Sequence, residues 1–470
     1  MNIIHLIYQF FWEKDILSIP LPNGAKIGIP LLVLILIPAG IFFTIRTKGL
    51  PVRCFPEMLR ITGEKKAKKK GGAISGFQSL IVSTATRVGM GNMVGVVAAV
   101  SAGGAGAVFW MWVTALIGSS TAYIEATLAQ IHKQKDPLHG GYRGGPAYYI
   151  HSFFAKKKKF SIIAILFALS GLLCWCGVSQ VISNSVSSTL EISFGIDPLI
   201  STIILVALAA VIIFRKNATV KVLDLIVPIM AAFYFLLSVF VIIKNFSLLP
   251  NVFGRIFEEA FGLRQVVAGG FGAALMNGVK RGLFSNEAGS GSAPCAAAAA
   301  EVSHPAKAGL TQAFGVFIDT IVICSCTAMI MLLAPEDMLN GLEGMSILQT
   351  AMSYHFGYAG TVFTSITLWL FCFSTFIGIL FYARSNVAYV FGDKKLPQVI
   401  YKVLALVMLF IGGIATYTFV WELGDIGIAL MTVFNMIAII PMSGSAVRAL
   451  NEYMKLSKEE RKAARANKKT

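Results

Sequence analysis

The chain has 470 residues, 56% of them hydrophobic and 13% charged, with a mean hydropathy of +0.73. That balance excludes an ordinary soluble domain and predicts an all-α polytopic membrane protein. The formal net charge of +17 is spread in short runs between apolar stretches rather than gathered on one basic domain, so it reports topology and not a nucleic-acid partner.

In chain order, the first 26 residues carry Glu13, Lys14 and Asp15 in a short, interrupted apolar stretch, which is no secretory signal. A spanning helix needs about 20 apolar residues. The predicted spans are Ile27–Ile45, Ala73–Gly104, Ala107–Ile131, Ser161–Leu190, Leu199–Phe214, Val222–Ile243, Val266–Asn277, Ala308–Leu333, Ala359–Tyr382, Gln398–Tyr417 and Val420–Ile439, about 11 transmembrane helices. The organisation that follows is an N-terminal extra helix and basic loop over 1–72, a ten-helix core over 73–441, and a basic, partly helical tail over 442–470.

Charge tests the count. With the N-terminus outside and the C-terminus cytoplasmic, 34 of the 40 Lys and Arg fall in loops assigned to the cytoplasm, nine of them between Arg46 and Lys70 and eight between Arg448 and Lys469. The opposite side keeps Lys14, Lys26, Lys244, Arg255 and Arg264, as the positive-inside rule requires. Lys280 and Arg281 are expected at a cytoplasmic boundary, where topology alone accounts for them.

Two spans are unusual. Thr84 to Gly95 reads TATRVGMGNMVG, with Gly89, Gly91 and Gly95 beside Arg87 and Asn92 in the middle of a spanning length. Glycine frees the backbone from helical geometry, and irregular backbone survives at membrane depth only where it is buried in protein or lines a cavity. The stretch is predicted to be a discontinuous helix; a small-residue packing surface is the other reading. Arg264 to Gly282 carries a second weak point at Gly269, Gly270 and Gly272. With the first span set aside, the interrupted helices are the first and sixth of ten and run in opposite directions, the arrangement of a five-plus-five inverted repeat with its binding site at the midplane. The seven cysteines and six histidines show no metal or redox spacing and read as packing residues. No catalytic constellation and no organic cofactor are expected, so an enzyme is not.

The motifs GMGNMVGV, GGAGAVFWMWVTALIG, GGPAYY at Gly144–Tyr149, KRGLFSNEAGSGSAP at Lys280–Pro294 and GVFIDT at Gly315–Thr320, in this order, resemble the alanine/glycine:cation symporter family over about Gly76 to Asn435. The resemblance implies a LeuT-like architecture, a bacterial plasma membrane, and sodium-coupled uptake of a small neutral amino acid such as alanine, glycine or glutamine. Three departures bear on substrate: the family's usual GTGN is Gly89-Met90-Gly91-Asn92 here, its QSN pattern in the third core helix is Ile182-Ser183-Asn184, with Gln180 one residue-pair earlier, and an aromatic of its eighth core helix is replaced by Ile379.

For such a substrate, freed N–H groups near Gly89, Met90 and Gly91 are candidates for the carboxylate, with Asn92 orienting the break. Carbonyls of Gly269 to Gly272 are candidates for the ammonium, and Phe271, Met276 and Ile379 for the pocket wall, so Gly270, Phe271 and Gly272 join the candidate substrate site. Sodium prefers oxygen ligands. The resemblance implies a cage of the Val88 and Gly91 carbonyls with the Ser374 and Thr375 hydroxyls, which could otherwise bond back to their own helix. Intramembrane ionisable residues default to functional hypotheses, here Arg87, Glu125, Glu287 and Asp319, with Arg87 pairing to Glu125 or Asp319. A proton-coupled transporter of the same fold, with Glu125 or Asp319 as carrier, stays open, as does a channel.

Overall fold

The computed structural model describes residues 3–20, 26–63, 74–75, 87–155, 161–214, 218–263 and 270–466. Helix α1 (Ile3–Trp12) leads into an antiparallel hairpin of β1 (Asp15–Pro20) and β2 (Lys26–Pro30), then α2 (Leu31–Arg46). The first predicted span therefore loses its opening residues to β2, and its helix starts after Pro30, which lies in extended conformation. Short helices α3 (Leu50–Arg53) and α4 (Phe55–Thr62) follow. Residues 76–86 of the predicted broken span lie outside the described residues; from Arg87 to Gly95 the chain is irregular and then continues as α5 (Val96–Gly103).

The remaining helices are α6 (Gly106–Ile131), α7 (Pro146–Phe154), α8 (Ile162–Phe194), α9 (Pro198–Ile213), α10 (Ala218–Lys244), α11 (Leu249–Ala260), α12 (Gly270–Asn286) and α13 (Pro294–Ala299). After them come α14 (Pro305–Val316), a π-helical stretch Phe317–Cys324, α15 (Ser325–Leu332), α16 (Met345–Phe356), α17 (Tyr358–Phe391), α18 (Lys395–Ile414) and α19 (Tyr417–Ala466). Local chemistry sets many of these ends. Ser161 and Asp197 accept from the first-turn amides of α8 and α9, and Gly195 closes α8 in the left-handed conformation.

The predicted spans are largely helical over their described parts, apart from the β2 residues that open the first and Ile74–Ser75 of the second, which form a short strand. Six described helical stretches are long and apolar enough to cross a membrane, or seven if the pair 229–244 and 246–260, bent by 75°, is one span. The arm α11 was not foreseen: its mixed sequence LPNVFGRIFEEA reads as a loop by hydropathy, yet it buries Val252, Ile256 and Glu259 against the bundle. Helix α19 runs without interruption past the predicted core boundary at 441, and its Tyr453 and Ser457 bond the buried Glu57 of α4.

The helices form two packed groups. In one, α6 packs against α14 and α12; in the other, α8 packs against α19, α18 and α17. The second is tight because small residues let backbones meet: a Cβ on Gly177 of α8 would lie 2.2 Å from the Gly424 nitrogen of α19. The broken stretch Arg87–Gly95 lies between α12 and α17.

Candidate functional site

The break itself is at Val88 and Gly89, whose φ/ψ of −76°/72° and −149°/−140° leave the helix. Here a glycine is required by space. A Cβ at Gly89 would stand 2.0 Å from Thr375 Oγ1 and 3.3 Å from the Phe371 carbonyl, so α17 presses directly on the opened backbone. The amides released by the break are engaged: Gly89 N–H donates to Asn92 Oδ1 (2.9 Å) and Met90 N–H to Thr375 Oγ1 (3.1 Å). Thr375 in turn donates to the Phe371 carbonyl (2.9 Å), as does Ser374 (2.9 Å). Both hydroxyls thus make the back-bonds considered from sequence, while Thr375 also ties the break to α17. A hydroxyl oxygen has two lone pairs, so Thr375 keeps one for a further ligand.

A small cavity of about 30 Å³ opens beside the break. Its walls come from Met90 and Gly91, from Cys174, Trp175 and Val178 of α8, from Thr375 and Ile379 of α17, and from Phe284, Glu287, Ser292 and Ile428. Such a volume holds a water or two and is an order of magnitude below the usual small-molecule pocket. An amino acid would enter only if these walls part.

The structure brings Met90, Gly91, Thr375, Ile379 and Glu287 to this one cavity and leaves others of the predicted set elsewhere. Gly269 lies outside the described residues, and Gly270 starts α12 with φ +51°. Gly270, Phe271, Gly272 and Met276 do not line the cavity; the Phe271 ring instead packs edge-on to Trp110, 5.8 Å between centroids. An interruption also occurs at the other end of α12. Glu287, Gly289 and Gly291 all have positive φ, and the chain does not resume a helix until Pro294. Glu287 sits at this turn, takes a hydrogen bond from Tyr382 (3.3 Å) and faces the cavity. The serine and glycine run SNEAGSGSAP carried that signal in the sequence.

Glu125 of α6 holds this second interruption in place. Fully buried, it accepts from Gly289 N–H (3.1 Å) and from the Asn435 amide, which also donates to the Gly289 carbonyl (2.9 Å). Arg87 pairs with neither Glu125 nor Asp319; buried as well, its guanidinium donates to the Gln312 carbonyl and side chain, 3.1 Å each. Asp319, also fully buried, is on the π-helical stretch. Its Oδ1 accepts from Asn92 (2.9 Å) and its Oδ2 from Ser285 (2.9 Å) and Thr320 (2.6 Å).

Lys280 and Arg281 correct the sequence expectation. Topology alone does not account for them, since they are buried together against Asp425 of α19. Lys280 Nζ is 2.8 Å from Asp425 Oδ2, and the Arg281 fork meets both Asp425 oxygens at 3.2 Å. The guanidinium lies 3.9 Å from the Trp421 ring centroid, and Trp421 packs on Phe284, a wall of the cavity. Helix α1 closes over the cluster: Lys280 donates to Tyr8, and Trp12 donates to the Asp425 carbonyl (3.1 Å). Asp425 lies within a predicted span, so the cost of intramembrane charge should have singled it out alongside the other four.

The comparisons agree with this architecture. Among solved structures, that of a mutant manganese transporter from Eremococcus coleocola superposes with a TM-score of 0.51 over 84% of this chain and 80% of that one, at 11% identity, which speaks to fold alone. The chain is 42% identical over 429 residues to the probable sodium/glutamine symporter GlnT of Bacillus subtilis, covering 91% of this chain and 88% of that one. It is 40% identical over 427 residues to the amino-acid carrier protein AlsT of the same organism, covering 90% of each. It is 34% identical over 441 residues to the sodium/alanine symporter AgcS of Methanococcus maripaludis, covering 93% and 96%. Fold and relatives together define a multi-pass membrane transporter rather than an enzyme. The sequence profile of the sodium:alanine symporter family matches residues 19–468, and the chain belongs to that family.

Proposed function

We infer that this protein carries a small neutral amino acid, alanine, glycine or glutamine, into the cell with sodium by alternating access. The observation that carries the reading is the cavity at the break: opened backbone at Val88 and Gly89, the Glu287 carboxylate, the Thr375 and Ser292 hydroxyls and a largely apolar remaining wall meet at one point between the two helix groups. An amino acid presents an ammonium, which Glu287 attracts, and a carboxylate, which suits amides of the break once Asn92 or Thr375 releases them. Thr375, Ser374 and the carbonyls of Val88 and Gly91 are the oxygen donors for sodium. Because Met90 and Thr375 belong both to the cavity wall and to the hydrogen bond across the break, ion and substrate binding share one element, and coupling between them is reciprocal.

In this reading the core is a LeuT-like five-plus-five repeat within eleven spans of a bacterial plasma membrane, N-terminus outside. Contacts between loops support it. Arg255 meets Glu336 at 3.0 Å, both assigned outside, and Arg143 pairs with Asp393, both assigned to the cytoplasm. The Lys280–Arg281–Asp425 cluster with Phe284 and Trp421 then closes the cavity toward the outer face, the side of α1.

Uptake of radiolabelled alanine, glycine and glutamine into proteoliposomes tests the proposal. Accumulation above equilibrium under an inward sodium gradient is expected, and none under any gradient, with folded protein, would overturn it. A second reading, proton coupling on the same fold, is favoured by one observation: Glu125 is fully buried among neutral donors. An inward proton gradient without sodium decides between the two, and Glu125→Gln would abolish the pH dependence if Glu125 is the carrier.

A further inference from the structure

We propose that α1 is an outer strap: it bridges the two helix groups across the Lys280–Arg281–Asp425 cluster, and the cavity opens outward only when it lets go. The inference rests on the sodium-symport reading, with the N-terminus outside, and adds a moving part to it. Charge in the cluster does not balance. Lys280 and Arg281 are buried beside a single carboxylate, Asp425, and among the described residues no second acid lies within ion-pair distance of either. A buried cation is costly unless its surroundings answer it. The answer comes from α1. Lys280 Nζ donates to the Tyr8 hydroxyl and lies 4.4 Å from the Tyr8 ring centroid and 5.4 Å from that of Trp12, positions in which an aromatic face attracts a cation.

The strap is fastened on both sides. Tyr8 holds Lys280 of α12, in the group built on α6. Trp12 donates to the Asp425 carbonyl (3.1 Å), and His5 Nδ1 is 2.8 Å from Glu422 Oε1, both on α19 in the group built on α8. His5, Tyr8 and Trp12 are spaced by three and four residues and so share one face of the helix. The opposite face carries Leu6, Ile7 and Phe10, all exposed, an apolar surface suited to lying in the membrane interface. A released strap therefore keeps a resting place in the lipid beside the cluster.

Because its bonds go to both groups, α1 is fully seated only while the groups are close at this end. When the cavity walls part toward the outside, Lys280 and α19 separate, and the strap must give up one side. Seating thus favours the closed arrangement by its differential contacts, as a ligand specific for one conformer would. The effect has a path to the cavity: the Arg281 guanidinium lies 3.9 Å from the Trp421 ring centroid, and Trp421 packs at 5.0 Å on Phe284, which is a cavity wall. Another wall, Cys174, is a built-in reporter. Its thiol is free and buried, and a reagent outside reaches it only when the strap lets go.

The test locks the strap and then loosens it. In right-side-out membrane vesicles, oxidation of the double variant His5→Cys/Glu422→Cys is expected to abolish sodium-driven uptake and to stop labelling of Cys174 by a membrane-impermeant maleimide, read by peptide mapping; reduction should restore both. Tyr8→Phe keeps the ring but removes the oxygen that Lys280 bonds. It should speed the labelling about tenfold, the shift expected for one hydrogen bond to a charged group. Uptake intact in the oxidised pair overturns the strap alone. If the wild type shows no sodium-driven uptake but labelling still stops on oxidation and speeds in Tyr8→Phe, the transport reading fails and the strap stands. Should the cysteine pair not fold or not join, Tyr8→Phe and His5→Ala carry the test by themselves. Labelling of Cys174 at the wild-type rate in both overturns the proposal.

Discussion

Asp425 and Asp319 are both buried carboxylates, and they are bonded in opposite ways. Asp425 has two fixed cations, Lys280 and Arg281, with a tryptophan against the guanidinium and α1 across the top. Asp319 has an amide and two hydroxyls. A carboxylate whose charge is already answered by the protein is a fastening, since anything that moves it must separate charges in a low-dielectric setting. One answered only by neutral donors has room for a charge that comes and goes. The same side chain, at the same burial, is held by fixed charges in one place and by neutral donors alone in the other.

The largest effect should separate the two in stability. Asp425→Asn leaves Lys280 and Arg281 without their carboxylate and is expected to cost about 3–5 kcal/mol, the usual result of breaking a buried pair by one partner, read as a fall in Tm of the detergent-solubilised protein. Asp319→Asn removes a charge that has no fixed partner, and in sodium-free buffer its Tm should move by less than half as much. Equal losses in the two variants would erase the distinction.

Next comes function. Thr375→Ala removes the acceptor for Met90 N–H and, in the proposed sodium site, one oxygen donor. We expect half-saturating sodium to rise about tenfold, equivalent to about 1.4 kcal/mol, with the order of preferred amino acids unchanged. An unaltered sodium response would remove Thr375 from the cation site. Ile379→Trp acts on the same wall from the apolar side. It should narrow the cavity so that glutamine competes less well while glycine is little affected, measured by competition against labelled alanine. An unchanged profile would show that this wall does not contact the substrate.

Some of this was readable in the sequence and some was not, for physical reasons. Helices were legible because apolar length is a one-dimensional property. The break at Gly89 was legible because three glycines around Arg87 and Asn92 have no use in a lipid-facing helix. Burial of Lys280 and Arg281 was not, because a pair of bases near the end of an apolar stretch reads equally as topology; only the approach of α19 supplies Asp425. Nor was Ser285, a small residue whose partner Asp319 is 34 positions on. Of the N–H groups expected to be free at the break, those of Gly89 and Met90 proved to be capped by Asn92 and Thr375, a tertiary arrangement that the spacing of glycines does not encode.

A third carboxylate, outside the membrane, extends the comparison and should show the smallest effect. Asp136, in the loop after α6, accepts from the Leu138 and His139 amides (3.0 and 3.1 Å) and from the His139 ring (3.2 Å), with Arg143 at 4.0 Å. Burial works against its charge, but the His139 hydrogen bonds and the nearby charges of Arg384 and His139 overcome that and hold its carboxyl down at about 2. A depressed carboxylate stabilises the fold above its unfolded value, near 3.9, and loses that contribution as pH falls toward the folded value. The loop should therefore keep its amide-exchange protection unchanged from pH 7 to pH 5 and lose it only below about pH 4. Asp136→Asn should reduce protection of the Leu138 and His139 amides at pH 7 and flatten the acid loss. If protection in the wild type instead declines between pH 7 and 5, the carboxylate does not control the loop, and Asp136 belongs with neither of the two buried acids.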